Sequence, residues 1–94
     1  MSKIMLTNGM RTADFVKATG LEVTRRLAGK TGISLRLLGE RYSTLAEAKQ
    51  RAGQLADKLG NCKVKAQYVA LVSNRGAAVD TYEFYAVCVV LNKK

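Results

Sequence analysis

The side chains of this chain best suited to chemistry are its cations. Arg11, Lys17, Arg25, Arg26 and Lys30 lie toward one end, and Lys63, Lys65 and Arg75 toward the other. Over 94 residues, sixteen lysines and arginines stand against seven aspartates and glutamates, a formal charge of +9. The surplus is +4 in residues 1–32, +2 in residues 33–62 and +3 in residues 63–94. A positive field of this size draws anionic partners, and a phosphate backbone is the most direct match for lysine and arginine. If the two ends of the chain meet in space, these residues form one basic patch. The expectation is a nucleic-acid-binding protein, for DNA or RNA, making mainly phosphate contacts with little sequence selectivity.

Catalysis is poorly provided for. The chain has no histidine, the commonest general base and metal ligand. Its carboxylates show no paired spacing, and Glu47 and Asp14 fall where a helix cap or a helix first turn would use them. Gly29-Lys30-Thr31-Gly32 contains a Gly-Lys-Thr triplet. It lacks the preceding glycine of a P-loop and leads into a strand instead of a helix, which excludes that phosphate site. Cys62 and Cys88 stand 26 positions apart with no third cysteine. A structural zinc would need unusual carboxylate help here, and both read as reduced thiols, Cys88 as a small core residue. A non-enzymatic protein is expected, with no catalytic residue, no cofactor and no metal.

Two recognition motifs can be weighed against plainer readings. Phe15 to Leu27 aligns with a helix-turn-helix, with Gly20 in the turn and Arg25-Arg26 on the second helix. On that register Arg26 falls where an apolar residue is needed and Gly29 cuts the helix short, so one helix with a tolerated glycine is the preferred reading. Tyr82, Phe84 and Tyr85 invite comparison with sheets that stack single-stranded bases. The alternation described next assigns Tyr82 and Phe84 to the core and leaves Tyr85 alone on the other side.

The elements that must position these groups follow from periodicity and caps. Thr44-Leu45-Ala46-Glu47 is a capping-box pattern that starts a helix at about Leu45. Leu45, Ala48, Ala52, Leu55 and Leu59 form its apolar stripe, Gly60-Asn61 supplies a left-handed stop, and Glu47 and Arg51 sit one turn apart. Thr12 can cap an earlier helix over Ala13 to about Ala28, interrupted at Gly20, where a break into two pieces is the alternative. Ile33 to Leu38 alternates as a strand, and Lys3 to Leu6 offers a further one. Two longer alternating runs, Lys63 to Ser73 and Thr81 to Leu91, make a hairpin across a loop at Asn74–Asp80. With paired residue numbers summing to about 154, even faces even, and one apolar face of both strands meets the second helix.

That pairing leaves Val69, Tyr85, Val87, Val89 and Leu91 on the opposite face, beside Lys63 and Lys65. An aliphatic area of this kind needs cover. It supplies the alternative reading, a protein-binding regulator or inhibitor docking on an acidic or nucleic-acid-binding surface, or a homodimer contact. The chain offers no signal-peptide core and nothing near the ~18 apolar residues of a membrane span, so a cytoplasmic protein without a membrane partner is expected. The fold expected is a single α+β domain over residues 1–94. It has two layers in the order α-β-α-β-β, with a three- to four-stranded antiparallel or mixed sheet and a C-terminal β-hairpin.

Overall fold

In chain order the elements are β1 (Ile4–Met5), α1 (Thr12–Thr19), β2 (Val23–Ala28), β3 (Gly32–Leu37), α2 (Leu45–Lys58), β4 (Leu59–Gly60), β5 (Cys62–Arg75) and β6 (Ala78–Asn92). The structure, a computed structural model, describes residues 3–28, 32–76 and 78–92, with the side chains of residues 25–28 and 75 outside that description. The architecture is α+β in two layers, with an antiparallel sheet in the order β2-β3-β6-β5 and the C-terminal hairpin forming one half of it. Among the described residues, no helix is long and apolar enough to cross a membrane.

The first helix is shorter than its sequence pattern predicts. It ends at Thr19, and Gly20 takes a left-handed backbone, φ 73°, while its N–H reaches the Val16 carbonyl. Thr19 seals the same end: its hydroxyl donates to the Phe15 carbonyl at 2.8 Å and accepts from the Leu21 N–H at 3.2 Å. The remainder of the expected helix is strand β2, paired with β3 from Val23–Leu37 to Ala28–Gly32. Val23 and Thr24 are β-branched, and a neighbouring strand supplies the partners that a second helical piece would lack. No recognition helix therefore exists over Leu21–Ala28, and the helix-turn-helix alignment fails.

Helix α2 begins where the cap predicts. The Thr44 hydroxyl accepts from the Glu47 N–H, and the Glu47 carboxylate accepts from the hydroxyls of Thr44 and Ser43. Ala48, Ala52 and Leu55 are buried along its stripe, with Leu59 buried just beyond, whereas Leu45 at the first turn stays exposed. With Glu47 held in the cap, Arg51 turns to Glu40 instead, at 2.6 Å. The helix stops at Leu59 in an extended, not left-handed, conformation, because Leu59–Gly60 pairs in parallel with Ile4–Met5. The left-handed residue is Asn61, φ 63°, whose side-chain amide donates to the Leu6 carbonyl and to Asn8 Oδ1.

The hairpin's register differs from expectation by one residue, most of the loop expected at Asn74–Asp80 being paired strand, and the difference propagates along both strands. Its ladder runs out to the Arg75–Ala78 pair, so the link between the strands is two residues long and every pair sums to 153. An even-length link pairs even with odd. Since side chains alternate with period two, this slip exchanges the faces of one strand relative to the other. Tyr85, Val87, Val89 and Leu91 thereby join Val64 and Ala66 on the helical side. There they pack with Val23, Leu35 and Leu37 beneath Phe15, Ala48, Ala52, Leu55 and Leu6. Val87, Val89 and Leu91 are fully buried, as are Phe15 and Leu35 to within 1%. Each such side chain contributes about 1.5–3 kcal/mol by leaving water. The aliphatic residues expected to form an external contact are thus the interior of the protein itself.

Candidate nucleic-acid interface

The same register assembles a second sheet face of different chemistry. Directly opposed residues of antiparallel strands share a face, so Thr24, Arg36, Cys88 and Lys65 form one row across all four strands. In the neighbouring row Ser34, Val90 and Lys63 are aligned, and the backbone of Arg26 pairs with Ser34. Further along the hairpin come Ala86 with Gln67, Phe84 with Val69, and Tyr82 with Leu71. Small residues line the middle: Ala86 and Cys88 are fully buried among their longer neighbours, and the Cys88 thiol donates to Gln67 Oε1 at 3.1 Å. Lys63, Lys65 and Gln67 rise from the edge strand and are exposed. Lys63 and Lys65 stand about 7 Å apart along β5, and Arg36 lies two strands, about 10 Å, across from Lys65.

Arg41 reaches this face from the loop after β3. Tyr42 is bridged to Tyr85 by two backbone hydrogen bonds, 3.0 and 2.8 Å, which extends the sheet beside β6. With Tyr42 packed against the core, Arg41 projects the other way, and its guanidinium carbon lies 4.7 Å from the centre of the Phe84 ring. That contact is a cation–π interaction on an exposed arginine, worth about 0.5–1 kcal/mol.

The charges of this face are unneutralised among the described residues. The ion pairs there are Arg11 with Asp14 and Arg51 with Glu40, and neither involves Arg36, Arg41, Lys63 or Lys65. Most carboxylates sit elsewhere: Asp14 on α1, Glu22 just before β2, Glu47 and Asp57 on α2, and Glu40 against α2. Glu83 pairs with Ala70 on the Tyr68 side of the hairpin, whereas Asp80, paired with Ser73, shares the second face with Tyr82 at the turn end of the hairpin, away from Lys63 and Lys65. Arg36 is half-buried, and its Nη1 has no hydrogen-bond partner among the described residues. An unpaired buried donor costs about 1–3 kcal/mol, which is offset only when an acceptor reaches it. The helices carry cations as well, Lys17 on α1 and Lys49, Arg51 and Lys58 on α2, so what marks the second face is that its cations have no carboxylate partner among the described residues.

Of the residues singled out in the sequence, Lys63 and Lys65 come together on this face. Arg11 and Lys17 do not join them: Arg11 caps the start of α1, Lys17 lies on it, both are exposed, and Arg11 is paired with Asp14 at 3.3 Å. Arg25 pairs by backbone with Leu35, and Arg75 with Ala78 at the hairpin end. The side chains of Arg25, Arg26 and Arg75, and Lys30 altogether, lie outside the described residues. Of the supposed contact residues, Val69 is buried on the second face, Tyr85 half-buried on the first, and Val87, Val89 and Leu91 are core. Arg36, Arg41, Phe84 and Tyr82 are members that sequence reasoning missed. The signal for Arg36 was its place in an alternating strand whose odd positions are all apolar; for the aromatics it was hidden by loop length.

The chain matches no protein-family model, no curated protein and no solved structure.

Proposed function

We propose that this protein binds nucleic acid on the second face of its sheet, through phosphate contacts from Lys63, Lys65, Arg36 and Arg41. The observation that carries this reading is the convergence of these cations on one face with no carboxylate partner among the described residues. Phosphate oxygens accept from guanidinium and ammonium groups in charge-assisted hydrogen bonds, and each contact releases condensed counterions. The face holds and orients a strand and carries out no reaction on it. The alternative, a protein-binding regulator or inhibitor, drew on Val69, Tyr85, Val87, Val89 and Leu91 as its contact surface; Val87, Val89 and Leu91 lie in the core, which favours the nucleic-acid reading over it.

Fluorescence anisotropy of labelled DNA and RNA tests the proposal. With four contacts to a single strand, affinity should fall about 50-fold between roughly 50 and 200 mM salt. A folded Lys63→Glu/Lys65→Glu protein should bind far more weakly and with a shallower salt slope. Absence of binding at low salt, or unchanged affinity in that variant, refutes the proposal.

A further inference from the structure

We infer that the nucleic acid bound on this face is single-stranded, its bases stacking on Tyr82 and on the Arg41–Phe84 pair while its phosphates run over Lys63 and Lys65. This rests on the nucleic-acid reading above and narrows it to one class of strand. The hairpin register places Phe84 and Tyr82 on the side of the lysines, not in the core. Tyr82 is 53% exposed although it is a large aromatic residue, so its ring is accessible to a flat partner. Phe84 is half-buried, and the guanidinium of Arg41 lies over its ring with Arg41 itself exposed. A guanidinium so placed offers a second stacking surface to a base, backed by the ring beneath it.

The distances suit a strand that runs along the hairpin. Cys88, which is paired with Lys65, is six residues along β6 from Tyr82, a span of about 20 Å. A chain laid along it meets cations first and rings after. Bases in a duplex are already stacked on one another and cannot use those rings; unpaired bases can. The groove-reading alternatives lack their parts. Leu21–Ala28 holds no recognition helix, and the outer hairpin, which could enter a major groove as a ribbon, carries exposed Val72 and Val79 with Asp80 and Glu83.

The test uses three probes of about 12 nucleotides or base pairs: oligothymidylate, an abasic deoxyribose-phosphate oligomer of equal charge, and a duplex. The intact protein should bind oligothymidylate roughly tenfold or more tighter than the abasic oligomer, and tighter than the duplex. Tyr82→Ala should cut the preference for bases several-fold, the Arg41–Phe84 site remaining, while leaving abasic binding and its salt dependence in place, and Tyr82→Phe should keep it. Because Tyr82 is exposed, both variants should retain the parent circular dichroism spectrum. Equal binding of thymidylate and abasic probes, an unchanged ratio in Tyr82→Ala, or tighter duplex binding would overturn the stacking inference and leave phosphate binding standing. Failure to bind any probe would overturn both.

Discussion

Tyr68 and Tyr85 face each other directly across β5 and β6, their ring centroids 5.6 Å apart and their planes inclined at 63°. An even-numbered and an odd-numbered residue share a face here, and that parity decides which half of the hairpin is core and which is surface. It turns Val87 and Val89 under the helices and Phe84 and Tyr82 toward Lys65.

A charge introduced at Val87 should therefore unfold the protein, not merely separate subunits. Val87 is fully buried, whereas Val72, farther out on the same hairpin, is 64% exposed. Val87→Asp should cost on the order of 4 kcal/mol, a large part of the stability of a chain this size. Val72→Asp should change it by less than about 0.5 kcal/mol. Urea denaturation followed by circular dichroism separates the two; a cooperative, near-parental transition for Val87→Asp would contradict the register.

Arg36 should be a residue kept at some expense to stability. Its Nη1 is buried without a partner among the described residues, so Arg36→Met, which retains much of the apolar stem, should leave the urea midpoint unchanged or raise it. The same variant should lower affinity for nucleic acid. A marked fall in stability with unaltered binding would make Arg36 a structural residue only.

Glu40 ties the loop after β3 to α2 and should make stability pH-dependent. Burial opposes its charge, yet hydrogen bonds from Arg51 at 2.6 Å and from the Tyr42 hydroxyl at 2.8 Å outweigh burial and hold its carboxyl below the usual value. A carboxylate with a lowered folded pKa stabilises above its unfolded value, about 4.3, and loses that contribution as pH falls through the folded one. Glu40→Gln should cost roughly 1 kcal/mol at neutral pH. The gap between variant and parent urea midpoints should close as pH falls below the unfolded value and through the lowered folded one; a gap independent of pH would exclude the ion pair as its source.

Gly20 should resist substitution for reasons of backbone alone. Its φ is 73°, and a Cβ built there meets nothing within 4 Å. Gly20→Ala should cost about 1 kcal/mol, or about 4–8 °C in melting temperature, through the left-handed conformation without any clash. An unchanged melting temperature would show that α1 ends in some other way.

The two thiols should differ in reactivity and should not join. Cys62 lies on the helical side of the sheet and Cys88 on the other. Burial pushes the Cys62 thiol above its ordinary pKa despite the nearby positive charge of Lys3, so little thiolate exists near neutral pH. A thiol-specific reagent should modify half-buried Cys62 slowly, faster as pH rises, and fully buried Cys88 only after unfolding. Equal rates in the native protein would contradict this placement.

Local chemistry was readable directly from the chain. The cap at Thr44, the stripe Ala48–Ala52–Leu55, strand β3 and the existence of the hairpin each depend on neighbours within a turn or a few alternating positions. So did the cationic character and the grouping of Lys63 with Lys65 on one side of one strand. What lay beyond local pattern was set by partners distant in sequence. Val23–Ala28 could extend a helix until β3 offered it a ladder of hydrogen bonds. Glu47 and Arg51 had helical spacing, but Glu40, eleven residues before Arg51, took the arginine. The decisive case is the hairpin: composition cannot count the residues in its link, and one residue exchanges the faces of a whole strand because side chains alternate with period two. The sequence by itself determined a basic α+β chain with α2, β3 and the C-terminal hairpin. Only the tertiary pairing decided that Val87, Val89 and Leu91 are its core, and that Phe84 and Tyr82 stand on the face of the lysines.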